Sequence, residues 1–149
     1  MTTINDKLTT AARLLLGLAF FVFGLNGFLH FIPQPPMAGP AADFAGALFM
    51  TGYMFPLIKG TEVIAGLLLL SNRYVPLSLA LLAPVVVNIV AFHAFLAPAG
   101  LALPIVLLAL QLFLARSYWA AFTPMLQART APRANVAGAA HPHATATAS

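Results

Sequence analysis

The stretch AARLLLGLAFFVFGLNGFLHF, residues 11–31, decides what kind of protein this is. It carries a single formal charge, Arg13. A helix needs about 20 apolar residues to cross the hydrocarbon of a bilayer, whereas a soluble helix of that length keeps a polar face. Three more apolar runs follow, at residues 55–70, 74–96 and 101–119. Of the 149 residues, 61% are hydrophobic and 7% charged, and the mean hydropathy is +0.93. A soluble domain carries about 25% charged residues, so these few charges cannot clothe a water-facing surface. The reading is all-α: a membrane four-helix bundle over residues 1–122, with the lipid bilayer as its first partner.

The connections are marked by proline and glycine. Pro33, Pro35 and Pro36 end the first span, because proline lacks the helix donor and pushes its predecessor towards extended backbone. Asp43 is placed to cap a short helix over residues 44–51, with Gly52 as its stop. That helix is too short to cross, which puts it at the membrane interface beside Tyr53. Pro56 and Pro76 are tolerated in the first turns of their spans, and Pro84 predicts a kink in the third. Ser71-Asn72-Arg73 and Ala97-Pro98-Ala99-Gly100 are tight turns. Arg116, Tyr118 and Trp119 close the fourth span with the cation and aromatics favoured at a bilayer boundary. Residues 123–149 are rich in Ala, Thr, Pro and His without apolar periodicity, and read as a disordered tail.

Several function classes drop out. With no cysteine, the chain has no disulfide, thiol nucleophile or CxxC cycle of its own. The net charge of +4 comes from basic residues scattered singly, not the patch or stripe that binds nucleic acid. His141 and His143 offer two metal ligands in a polar tail, short of a metal site. The first apolar segment is too long for a signal-peptide core and lacks a clear cleavage site. Lys7, Arg13, Arg73, Arg116, Arg129 and Arg133 fall at one side of the spans. The positive-inside rule then predicts both termini in the cytoplasm. It also puts the Pro-rich loop, with Asp43, outside.

Polar residues inside apolar spans mark the candidate site, because ionisable groups in hydrocarbon are costly and by default face the bundle interior. They are Asn26, His30, Lys59, Glu62, Asn88, His93 and Gln111. At 1.5 Å per residue, Asn26 and His30 lie roughly 22 and 28 Å from the cytoplasmic start of span one. Lys59 and Glu62 lie roughly 6 and 10 Å below the outer surface, and Asn88 and His93 roughly 21 and 28 Å up span three. These six share the outer half, leaving only Gln111 near the middle. Lys59 can snorkel to the headgroups or pair with Glu62. Glu62 can serve structure or chemistry. Asn26 and Asn88 read first as hydrogen-bond glue between helices. Asn88 and His93 are five residues apart and diverge in direction, which favours Asn88 as the interior residue. Gly17 and Gly24 share a face suited to close helix packing.

At these residues the chain resembles the DoxX family of small bacterial membrane proteins. The resemblance covers roughly residues 12–122. It is carried by Arg13-x-x-x-Gly17, Gly24-Leu-Asn-Gly27-Phe-x-His30, Lys59-Gly-Thr-Glu62-x-x-x-Gly66 with its leucine run, and the Asn88–His93 segment. It implies a four-helix bundle in the bacterial inner membrane. Some relatives are subunits of quinone-linked oxidoreductases that use sulfur compounds, and others are connected with oxidative or thiol stress.

Three functions are expected. The first is an accessory or scaffold subunit of a membrane complex. The second is a quinone-binding subunit of an oxidoreductase, with no intrinsic cofactor and with other redox subunits as partners; quinone carbonyls need donors such as His30, Lys59 or Asn88. The third is passage of protons or a small solute by way of Glu62 and His30, which the apolar inner half opposes. No residue is assigned a catalytic role.

Overall fold

The structure, a computed structural model, describes residues 3–129. Among the described residues there is no strand. The helices are α1 (Ile4–Leu29), α2 (Pro40–Met50), α3 (Met54–Leu70), α4 (Val75–Phe95), α5 (Ala102–Ser117) and the one-turn α6 (Trp119–Phe122). A 3-10 turn, Pro98–Gly100, joins α4 to α5. Of the described residues, 3–119 form one compact unit and 120–129 belong to a second. The segment expected to be a disordered tail opens with a 3-10 turn at Thr123–Leu126. Residues 130–149, including His141 and His143, lie outside the described residues.

Local chemistry sets where the helices begin and end. α1 starts at Ile4, well before the apolar run, because Thr3 and Asp6 cap it reciprocally: the Thr3 amide donates to Asp6 Oδ2 at 2.9 Å, and the Asp6 amide to Thr3 Oγ1 at 3.3 Å. It ends at Leu29, ahead of the prolines, where His30 adopts the left-handed conformation with φ 53° and donates its amide to the Asn26 carbonyl. α2 begins at Pro40, not at residue 44. Its cap is Gly39, whose φ of 60° and ψ of −146° suit glycine alone. Asp43, expected as the cap, lies inside the first turn and donates its amide to the Gly39 carbonyl. Gly52, with φ 75°, stops the helix as expected. α4 continues through Pro84.

α1 and α4 are each long and apolar enough to cross a membrane; α3 and α5 reach that length only when counted with the adjoining helical segment, making up to four spans. Leu15, Leu18, Leu57, Ile64, Val87 and Leu112 are all exposed, so the outside of the bundle is as apolar as its core. That is the surface of a membrane protein, since soluble monomers rarely expose large continuous apolar patches. α2 turns away from α3 by 89°.

The four long helices form a ring of antiparallel neighbours: α1 on α3, α3 on α4, α4 on α5 and α5 on α1. The α1–α3 contact is the most extensive, and glycine makes it possible. A Cβ added to Gly66 would lie 2.6 Å from the Phe21 amide nitrogen and 2.9 Å from the Gly17 carbonyl oxygen. One added to Gly24 would lie 2.9 Å from the Val63 amide nitrogen. Backbone therefore meets backbone from Gly17 to Gly24. Without a hydrophobic drive between helices in lipid, such close contact is a main source of association.

Arg13, counted among the basic residues on one side of the spans, is buried within the bundle. Its guanidinium donates to the Leu69 carbonyl, and to the Leu70 carbonyl at 3.3 Å. These belong to the last turn of α3, where helix carbonyls lack helical donors and the dipole is negative. The same end of the bundle is filled by Leu16, Leu69, Leu79, Leu82 and Leu114, all essentially inaccessible.

Two outcomes follow for unfolding titrations in detergent. Gly66→Val forces the α1 and α3 backbones apart and is expected to cost about 2–4 kcal/mol, whereas Gly60→Ala, whose Cβ meets nothing within 4 Å, is neutral or stabilising by up to about 1 kcal/mol. Arg13→Met keeps much of the side chain's bulk but removes the guanidinium bonds to the Leu69 and Leu70 carbonyls, with an expected loss of about 2–3 kcal/mol.

Candidate functional site

The packing is not uniform along the bundle. At the end bearing α2, the helices enclose two adjoining cavities, of about 390 and 430 Å³. Both fall within the roughly 300–1,000 Å³ typical of small-molecule sites. The larger, central cavity is bounded by all four long helices. The smaller, side cavity lies between α2, α3 and α4. Met37, Phe55, Lys59, Glu62, Ile89 and His93 line both, so they form the partition between them.

Glu62 is the most deeply buried ionisable group in that partition, 2% exposed. Its Oε2 accepts a hydrogen bond from Lys59 Nζ at 2.8 Å, in the i, i+3 geometry of one helix face. Of the two readings open to Lys59, the structure shows the pairing. The lysine stem packs against Gly27 of α1, where any Cβ would collide with it. Its ammonium also lies 6.0 Å from the Phe55 ring centroid, a cation–π distance. An ammonium has three donors, and Glu62 accepts one of them, so Lys59 keeps donor capacity facing the cavities.

The other predicted residues divide. Asn26 is buried and lines the central cavity, but it does not join helices. Its Oδ1 accepts from the Ile32 amide at 2.6 Å and its Nδ2 donates to the Ile32 carbonyl at 3.3 Å. It ties down the chain that leaves α1, because the left-handed His30 folds Ile32 back over it. His30 itself is exposed, on the wall of the central cavity. The ranking of Asn88 over His93 is reversed. Asn88 is exposed and reaches only the side cavity, whereas His93 is half-buried in the partition. His93 Nδ1 lies 2.8 Å from the Ile89 carbonyl, which can only accept, so Nδ1 is the donor of that bond. The Phe92 ring meets the imidazole edge-on at 5.2 Å.

Sequence reasoning missed the contribution of α5. Leu103, Pro104 and Leu107 wall the central cavity, and the turn at Gly100 closes on His93, where an added Cβ would lie 2.8 Å from the ring. The one available signal was a glycine in that turn, and glycines in turns are too common to be specific. Gln34 and Met37, from the connection after α1, also line the cavity. Gln111 lies apart from both cavities; its Nε2 donates to the Leu79 carbonyl at 2.7 Å while its Oε1 is buried without a partner. Leu79 sits one residue before Ala80, whose carbonyl loses its helical donor to Pro84. Gln111 thus ties α5 to the α4 backbone where the proline weakens it. Among the described residues no cluster of three or more metal-ligating side chains occurs.

The arrangement offers hydrogen-bonding groups, Lys59 and Glu62 foremost, at the head of an otherwise apolar chamber. It suits an uncharged polar group, such as a carbonyl, better than an ion, because Lys59 and Glu62 already neutralise each other. No family model matches this chain, and no curated protein or solved structure is significantly similar to it.

A double-mutant cycle on Lys59→Met and Glu62→Gln measures how strongly the pair is coupled. Removing either partner alone leaves a charge in the partition, so each single change is expected to cost more than the double change, with a coupling of about 1–3 kcal/mol. Additive costs would show that water already screens the pair.

Proposed function

We propose that this chain is a DoxX-like, multi-pass protein of the bacterial inner membrane. In this reading it is an accessory subunit of a membrane redox complex, and its central cavity receives the headgroup of a quinone. The observation that carries the reading is the spare donor capacity of Lys59, paired with Glu62 in the partition between two largely apolar cavities. A quinone ring needs an apolar slot and a donor for each carbonyl. Lys59 supplies one donor and His30, on the cavity wall, can supply the other.

Both termini are read as cytoplasmic. Lys7, Arg73 and Arg116 lie at the Arg13 end of the bundle, and the positive-inside rule places that end inside. The cavities then open towards the outer leaflet. Because the chain has no cysteine, any sulfur or thiol chemistry belongs to a partner subunit. Passage of a solute through the bundle is disfavoured by the leucines that fill its other half.

The test is binding of a quinone analogue to protein in lipid nanodiscs, with co-purification from native membranes alongside. Wild type is expected to bind, and Lys59→Met to weaken binding about tenfold or more, consistent with loss of a charged donor. Redox subunits are expected in the co-purified material. Absence of binding by wild type, or equal binding by Lys59→Met and Glu62→Gln, removes the quinone reading.

A further inference from the structure

The central cavity accounts for a headgroup but leaves the side cavity without an occupant. The side cavity differs in kind. Apart from Asn88 and the shared partition residues, it is lined by Phe44, Ala45 and Leu48 of α2, Met54 and Ile58 of α3, and apolar residues of α4. It therefore offers a hydrocarbon surface that begins where the polar partition ends. The two cavities adjoin along the six residues they share, so this surface lies next to a polar ring held against Lys59.

The outer wall of that path is α2, and α2 is held lightly. It packs chiefly on α3, and its ring contacts are Phe44 on Phe92 at 5.7 Å and Phe49 on Phe55 at 5.6 Å. Both of its ends are glycines with positive φ, Gly39 at 60° and Gly52 at 75°, each with open space around it. A segment hinged at both ends on glycine, and joined to the bundle through aromatic contacts, can swing without disturbing the ring of long helices. The contrast with α1 and α3, locked backbone to backbone, is direct.

We infer that the side cavity holds the apolar tail of the lipid-soluble ligand whose head occupies the central cavity, and that α2 is the strap that lifts to admit it from the bilayer. The inference rests on the headgroup reading above. The tail exchanges lipid for protein, not water for protein, so it contributes little through the hydrophobic effect and instead selects for a narrow, unbranched chain. The main effect of α2 is on exchange rate.

Two probes separate this from the headgroup reading: a benzoquinone bearing a decyl chain, and the same ring without it. Leu48→Trp fills the side cavity away from Lys59 and Glu62. It is expected to weaken the decyl compound about tenfold and leave the bare ring unchanged. The native absence of cysteine allows a clean closure experiment. In Phe44→Cys/Phe92→Cys, a short bis-methanethiosulfonate bridge tethers α2 to α4. Bridging after loading is expected to slow release of the decyl compound at least tenfold relative to the unbridged variant. If both probes bind but Leu48→Trp affects them alike and bridging leaves release unchanged, the tail site and strap are wrong while the headgroup reading stands. If neither probe binds the native protein, both fall.

Discussion

Between Gly17 and Gly66 the main chains of α1 and α3 come so near that a single methyl group has no place between them. Most of the molecule follows from that approach. It sets the register in which α1 descends along α3, and the two ends of the register carry the two charged features of the bundle. At one end Arg13 reaches the last carbonyls of α3; at the other Gly27 admits the stem of Lys59, which turns to Glu62. α4 and α5 complete the ring, and with larger leucine-based contacts they fill the Arg13 end while leaving space at the α2 end. The cavities exist because the closest helix pair brings its polar groups to one end and the bulky core residues occupy the other.

Glycine on two faces of α1 and α3 was visible in the sequence, as were the apolar runs, the turns and the short helix before α3. These are statements about periodicity and about residues with unusual backbone freedom, which local chemistry determines. The ends of elements were less legible. Asp43 has the chemistry of a cap but was outcompeted by Gly39, because Pro40 is already suited to the first helical position. α1 ran past its expected start because two polar residues, Thr3 and Asp6, satisfied its first amides in water.

The site was legible in composition and not in direction. Asn26, His30, Lys59, Glu62, Asn88 and His93 were picked out by the cost of placing polar groups in hydrocarbon, a one-dimensional argument about depth. Which of them faces inward depends on the rotation of each helix, and rotation is set by neighbours distant in sequence. His30 left the helical face by taking the left-handed conformation, and Asn26 spent its amide on the chain beyond. Asn88 and His93 exchanged places for the same reason: the turn at Gly100 has room for the imidazole only because it has no side chain of its own. The burial of Arg13 was not legible, because its acceptors lie 56 and 57 residues further on.

That separation has a consequence for how the chain is built. A ribosome delivers α1 long before α3, so the newly inserted first helix carries a guanidinium that no protein carbonyl yet accepts. Arg13 meets its acceptors only when α3 packs on α1, so the guanidinium contact and the close approach of the glycine faces form together and in one register.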